Sequence, residues 1–398
     1  MEPNPSPVSD KNNRSLLFLV GGVALFILIL LIIIVAAKKR TPTQNTNTSQ
    51  NPLPKTAITT KPMPTVVKTV PLSETSIGIL SWLDSMKNSA GVYYGSYQCT
   101  AKTCEKPVVS YTAGIAAIWG EFQQFSKTKQ SSLSQRILKD LATYNNKTSV
   151  PTLQNDFWHC KFLYDIASSA TSTAEMKMAA KNLCDRAQYH PADVTDIAKL
   201  TVHTLNAPDV SSLLKKGVIM DSEITANSEN FDRYSAYASD FIAKYLWTGD
   251  EQYRNTAYVY YRKAVQVYST MKEKASVYSI LLFANTSVDM YKTTKSDQYK
   301  QLALMLKTKY DQKACVRIED CSMLAYLDNE LYKVTQDQIY RTQAKTVIGG
   351  LANQIFDADT YSGELQGKKA YRSFTNDVSM YSTRMNGILL GLTAETIQ

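Results

Sequence analysis

The sequence predicts an all-α protein: a ring of six to seven helical hairpins, preceded by one transmembrane helix and a disordered linker. Three observations lead there. An elbow recurs: Phe125-x-x-Thr128, Tyr245-x-x-Thr248, Tyr291-x-x-Thr294 and Tyr332-x-x-Thr335 each end one apolar-periodic stretch and open another, with a degenerate copy at Tyr164-x-x-Ala167. Glycine is scarce, at 15 of 398 residues, and alternating β-branched runs are few. The first and last helices of the body have no hairpin partner, so pairing them would shut the circle.

The elements come in order. Residues 1–14 form a short polar tail. Residues 16–37, "LLFLVGGVALFILILLIIIVAA", carry no charge. At about 1.5 Å per residue they reach about 33 Å, a bilayer core, so a transmembrane helix is expected over 15–37, with the lipid bilayer as its partner. A signal peptide would have a shorter apolar run and a small-x-small cleavage site. Residues 38–72 hold six of the thirteen prolines and nine threonines but no acid, the composition of an extended stalk. Residues 73–398 are the helical body.

The net charge of +9 divides unevenly. Residues 1–72 carry eight Lys/Arg against Glu2 and Asp10, leaving the rest with 36 bases and 33 acids. The high pI therefore belongs to the membrane-proximal segment, where Lys38-Lys39-Arg40 suits lipid headgroups, and nucleic acid is not an expected partner. The six cysteines fall in local pairs, Cys99 with Cys104, Cys160 with Cys184 and Cys315 with Cys321, which reads as disulfides and an extracytoplasmic body. Six core thiols are the alternative, most natural for Cys160 and Cys184 on helices. The basic residues flanking the apolar run lean the other way, three after it and two before. The cysteines and the stalk outweigh them, so a single-pass membrane protein with an exterior body is expected.

Within the body, helices are expected over "YTAGIAAIWGEFQQF", "SLSQRILKDLATY", "DFWHCKFLYDIASS", "AEMKMAAKNLCDRA" and onward to "CSMLAYLDNELYKV", "DQIYRTQAKTVIGGLANQIF" and an unpaired last helix over 376–392. Elbow spacings of 39, 81, 46 and 41 residues give a unit of about forty, with a short pair over 192–216 filling the double interval and leaving six or seven hairpins. An open solenoid is the rival architecture. The ring is favoured by the unpaired terminal helices, by a unit longer than the 34-residue helical repeat, and by variable loops confined to one side.

With hairpins such as "YLWTGDEQYRNTA" and a first body helix set to close on the last, residues 73–398 resemble the α/α-toroid, six-hairpin glycosidase-like superfamily. The resemblance implies general acid and base carboxylates near the mouth, where the N-terminal ends of inner helices gather. The positions that match are Asp156, Asp232 and Asp377: Asp156 or Asp232 as acid, Asp377 as partner. Trp158, Tyr234, Tyr381 and Tyr111 are candidates to stack on sugar rings, and Arg233 and Arg384 to hold an acidic sugar or tune a carboxyl. Each acid also has a capping role open to it, because first-turn carboxylates are favoured by the helix dipole. Glu121 follows Trp119-Gly120 deep in an inner helix, where a carboxylate is harder to explain as a cap; a solvent-facing position is the simple alternative. His159 reads as a packed histidine rather than a base.

Other chemistries lack their motifs. No phosphate-binding loop, dinucleotide fingerprint, G-x-S-x-G or H-E-x-x-H occurs. With three histidines and no paired C-x-x-C, neither metal nor cofactor is expected. The oligomeric state is not legible. The expected function is binding of a carbohydrate polymer, with glycoside hydrolysis as its catalytic form; the alternative is a non-catalytic helical-repeat module that holds a protein or peptide at the cell surface.

Overall fold

The computed structural model describes residues 70–100, 103–146, 157–187, 189, 208–210, 214, 226–311, 315, 317–351, 355–357, 368–375 and 378–396, all within the compact unit Val66–Gln398. The expected tail, transmembrane helix and nearly all of the stalk lie outside these residues. So does most of the 192–216 pair. Among the described residues no helix is long and apolar enough to cross a membrane.

Twelve α-helices are described. They are α1 (Glu74–Ser85), α2 (Tyr111–Thr128), α3 (Ser131–Asn145), α4 (Cys160–Ser168), α5 (Ala174–Asp185), α6 (Ser228–Thr248), α7 (Glu251–Met271), α8 (Val277–Thr294), α9 (Asp297–Asp311), α10 (Ile318–Thr335), α11 (Gln338–Gly350) and α12 (Thr383–Thr396). The even-numbered helices form an inner ring. Each packs on the next, from α2 through α4, α6, α8 and α10 to α12, and α12 packs back on α2. The odd-numbered helices lie outside as hairpin partners, and α1 is the outer partner of α12. The ring thus closes through the two helices that lacked hairpin partners.

The inner helices are buried on nearly every face: α2, α6, α8 and α10 each bury most of their length, polar side chains such as Glu121, Asp240, Asp289 and Glu330 included. The outer helices α3 and α5 bury one stripe apiece, such as Leu133, Ile137 and Leu141 on α3. A helix enclosed by two inner neighbours and an outer partner has no wet side, whereas an outer helix keeps one.

The elbow has a specific hydrogen-bond logic. In four copies the residue after the threonine is left-handed: Lys129 (φ 57°), Gly249 (72°), Lys295 (57°) and Gln336 (60°). Its N–H donates to the carbonyl of the elbow aromatic, at 2.7–2.8 Å for Phe125, Tyr245, Tyr291 and Tyr332. The threonine hydroxyl donates back four residues, Thr248 to Lys244 and Thr335 to Leu331 among them. That oxygen also accepts the N–H two residues on, from Asp250, Ser296 and Asp337. Asp250 and Asp337 then cap the next helix. At three elbows a cation in the next helix covers the tyrosine ring: Arg254 over Tyr245, Lys300 over Tyr291 and Arg341 over Tyr332.

The opposite face carries β-structure that a purely helical pattern does not foresee. Strands β1 (Ser96–Cys99), β2 (Cys104–Glu105), β5 (Ser373–Thr375) and β6 (Val378–Ser382) form an antiparallel sheet in the order β2-β1-β6-β5. Tyr97 pairs with Tyr381, and Ser96 with Ser382. A second pair joins β3 (Ile355–Asp357) to β4 (Lys369–Tyr371). The expected last helix over 376–392 is therefore corrected. Residues 378–382 are a strand and the helix begins at Thr383, whose N–H donates to the Gly95 carbonyl at 3.0 Å. Backbone bonds to β1 decide the matter, and local propensity does not contain them.

All three expected disulfides form: Cys99–Cys104 across the β1–β2 turn, Cys160–Cys184 between α4 and α5, and Cys315–Cys321 at the start of α10.

Candidate functional site

A cavity of about 360 Å³ opens where inner-helix N-termini meet the sheet, within the roughly 300–1,000 Å³ range of small-ligand sites. The starts of α2 (Ser110, Ala113), α8 (Ser276, Tyr278), α10 (Arg317, Glu319) and α12 (Arg384, Met385) line it, together with Gly95 and Ser96 near β1 and Met380 and Ser382 of β6. The serines hold the helix starts in place: Ser110 Oγ accepts from Ala113 N–H at 3.2 Å, and Ser276 Oγ from Ser279 N–H at 3.0 Å. The charged groups are Arg317, Glu319 and Arg384. Arg317 Nε stands 3.7 Å from Glu319 Oε2. The Arg384 guanidinium lies 4.6 Å over the Phe157 ring.

The middle of the ring is filled. Trp119 stacks on Phe162 with centroids 4.7 Å apart, and Trp158 meets Tyr326 at 4.9 Å; all four rings are fully buried. Lys161 Nζ sits 4.1 Å over Trp158 and pairs with Asp289 at 2.5 Å. Toward the elbow end the seal is ionic: Lys292 pairs with Asp289 and Glu330, and Lys333 with Glu330 and Glu395. Burial alone would raise Glu330, but Lys292, Lys333 and Lys161 pull it well below the usual carboxylate range. Among the described residues the ring is therefore filled at its middle and toward the elbows, and the cavity lies at the sheet end.

The sequence-derived candidates land in different places. Asp156 and Asp377 lie outside the described residues. The premise for Asp377 changes, since the chain after it enters strand β6 and not a helix. Asp232 is buried in the second turn of α6. Tyr234 faces outward, stacked on Tyr260 of α7 at 6.1 Å with Arg233 and Lys263 near its ring. Tyr381 is buried between Trp82 and Tyr97, and Trp158 belongs to the central seal. Tyr111 packs edge-on against Tyr144 at 5.2 Å, while its neighbours Ser110 and Ala113 reach the cavity. Arg384 lines the cavity directly. The disulfide cysteines are not among the residues that line it, although Cys315–Cys321 brackets Arg317 and Glu319.

Two acids are absent from the sequence-derived candidates. The apolar pattern places Glu319 and Asp320 in the loop before a helix starting at Cys321, but α10 begins at Ile318 and takes both into its first turn. Ile318, 2% exposed, is the available signal: an apolar residue three before Cys321 extends the buried stripe backward. Glu319 lines the cavity. Asp320 is raised by burial, more than Arg317 and the Tyr278 backbone N–H lower it.

Two further buried carboxylates do structural work. Glu121 does not face solvent. It is wholly buried, pairs with Arg136 at 2.6 Å and accepts from the Tyr93 hydroxyl at 3.0 Å. Asp240 of α6 caps α4 from a distance, accepting the N–H groups of His159 at 2.9 Å and Lys161 at 3.0 Å; α4 has no side-chain cap of its own. Burial raises Asp240 to about 6 despite those bonds. His159 is packed as expected, and burial lowers it to about 4, so its ring is neutral at pH 7.

No family model matches the chain, and no curated protein does. Solved structures do. A family 76 glycoside hydrolase α-mannanase of Bacteroides thetaiotaomicron matches at 14% identity and TM-score 0.50, over 81% of this chain and 94% of that one. The fold is the six-hairpin α/α toroid. An unsaturated glucuronyl hydrolase specific for heparin superposes on this toroid at 11% identity and TM-score 0.50, covering 81% and 95% of the two chains. So does an inactive variant of a Salegentibacter sp. α-1,6-mannanase, with two adjacent aspartates replaced and α-1,6-mannotetrose bound, at 10% identity and TM-score 0.50 over 81% and 98%. At these identities the likeness is one of fold.

Proposed function

We propose that the toroid binds a carbohydrate chain at its mouth and, as a glycoside hydrolase, cleaves it, while a membrane anchor and stalk hold it outside the cell. The observation that carries this is the mouth cavity itself: among the described residues the toroid opens where Arg317 and Glu319 at the start of α10 meet Arg384 at the start of α12. Glycoside hydrolysis uses two carboxyls, one protonated and one ionised. Glu319 is the carboxyl lining the described cavity, and its neighbour Asp320 is the one that burial shifts toward the protonated form. Asp232, and outside the described residues Asp156 and Asp377, are the other candidates for the second carboxyl.

The apolar run 15–37 supports the anchor, and residues 38–72 the stalk. Three disulfides in the described body support an oxidising exterior. The test is a glycan array followed by a reducing-end assay with wild type, Glu319→Gln and Asp320→Asn. Binding in all three, with turnover in wild type alone, is expected; absence of binding to any glycan would remove the reading.

The second reading, a non-catalytic module for a protein or peptide, is favoured by one observation: Trp158 and Tyr381, which could have stacked on sugar, are buried. An array on which no glycan binds would leave this reading standing, and saccharide binding at the mouth would count against it.

A further inference from the structure

The charges of the mouth point to a narrower ligand class than carbohydrate in general. Two guanidiniums, Arg317 from the start of α10 and Arg384 from the start of α12, line the cavity with one carboxylate, Glu319; Asp320, next in the chain and not among the lining residues, also feels the charge of Arg317. The hydroxyl oxygens of Ser110, Ser276 and Ser382 accept N–H groups of their own helix starts, that of Ser96 accepts from Gln98, and each hydroxyl has a single O–H to donate. The groups with most donors to offer a ligand are therefore the arginines. The Arg317 side chain is 55% exposed, and its 3.7 Å approach to Glu319 is too long for a hydrogen bond. The Arg384 guanidinium rests over the Phe157 ring, which holds its position at the cavity wall. A planar fork with five donors matches a carboxylate or sulfate oxygen pair far better than it matches isolated sugar hydroxyls.

We infer that the mouth cavity selects an anionic saccharide, a uronate or sulfated sugar whose acidic group sits between Arg317 and Arg384. This rests on the carbohydrate reading above and adds the ligand's charge to it.

The experiment is calorimetric titration of the full chain with inorganic sulfate and with three saccharide probes of similar length: an oligouronide, a heparin-derived tetrasaccharide and neutral α-1,6-mannotetraose. Each is measured at 50 and 300 mM salt, on wild type, Arg317→Gln and Arg384→Gln. One or both anionic probes should bind at least tenfold tighter than the neutral one. The preference should shrink at high salt and fall at least tenfold in Arg317→Gln, an exposed position whose thermal melt should be unchanged. The oligouronide and heparin arms tell carboxylate from sulfate recognition. Equal or tighter binding of mannotetraose, unmoved by Arg317→Gln, would overturn the inference and leave the carbohydrate reading standing. Binding of free sulfate as tight as that of the heparin tetrasaccharide would overturn it as well, since the cavity would then take the anion and not the sugar. No binding of any saccharide would overturn both.

Discussion

Gly120 of α2 and Gly387 of α12 meet backbone to backbone: a Cβ built on Gly120 would lie 2.1 Å from the Gly387 carbonyl oxygen. A Cβ on Gly387 would meet the Ala116 carbonyl oxygen at 2.6 Å, and one on Gly391 would meet the Trp119 ring at 2.3 Å. This seam closes the ring. The obstacle at Gly387 is main chain, which has no alternative rotamer, so overpacking there is felt by both helices. Gly387→Ala should cost about 3 kcal/mol or more. Gly349→Ala is the opposite case. It sits near the end of α11 with nothing within 4 Å, and should stabilise by about 0.5–1 kcal/mol. Urea melts of the two variants check the pair, and the same sign in both would contradict the seam.

The elbows make their own prediction. Lys295 and Gln336 hold left-handed φ that Gly249 holds freely. Replacing either with glycine removes a steric cost of roughly 1 kcal/mol, so Lys295→Gly and Gln336→Gly should each raise stability by a few tenths to 1 kcal/mol, while Gly249→Ala lowers it by about 1. Thermal melts of the three variants decide it.

Asp240 gives a pH signature. Its folded value, about 6, lies above that of an ordinary aspartate, so between about pH 4 and 6 the folded state binds a proton that the unfolded state has lost. Its contribution is full below pH 4 and declines as pH rises through 6. Asp240→Asn keeps an acceptor for the α4 N–H groups and removes the ionisation. The stability of Asp240→Asn relative to wild type should therefore rise by about 2–3 kcal/mol between pH 4 and 6.5. Asp240→Ala should be the least stable of the three at every pH, because α4 then has no cap. Denaturation at four pH values tests both.

His159 has the reverse sign. Its folded value of about 4 lies below the ordinary one, so the unfolded chain binds the extra proton between about pH 4 and 6.5, and stability rises with pH across that window. His159→Gln should flatten this limb, an effect of up to about 3 kcal/mol. An unchanged pH profile would place the ring in contact with water.

The Cys160–Cys184 bridge closes a 24-residue separation between α4 and α5. Chain entropy for such a loop is worth about 3 kcal/mol. The Cys160→Ser/Cys184→Ser double variant should lose about that much in denaturant melts. A smaller loss, under about 1 kcal/mol, would mean that α4–α5 packing holds the hairpin unaided.

What the chain's own order of residues determined was the hairpin and its repetition. An elbow is local: an aromatic carbonyl, a threonine hydroxyl and a left-handed residue all lie within five positions of one another, so the pattern prints at Tyr245, Tyr291 and Tyr332 alike. Ring closure was legible too, because an unpaired helix at each end of the body needs a partner and only the other end offers one. Two of the three cysteine pairs were nearly as short-range, five and six positions apart. What tertiary structure alone decided was everything set by contacts across the ring. Strand β6 exists because residues 96–99, from the far end of the body, bond to it. Asp240 is a cap because it reaches Lys161 across a helix boundary. Trp158 became part of a central seal, and not a sugar platform, because Tyr326 and Lys161 cover it. Burial and partner are properties of the closed ring. A first-turn acid such as Glu319 reads the same whether it faces a cavity, a neighbouring amide or water, until the helices around it are in place.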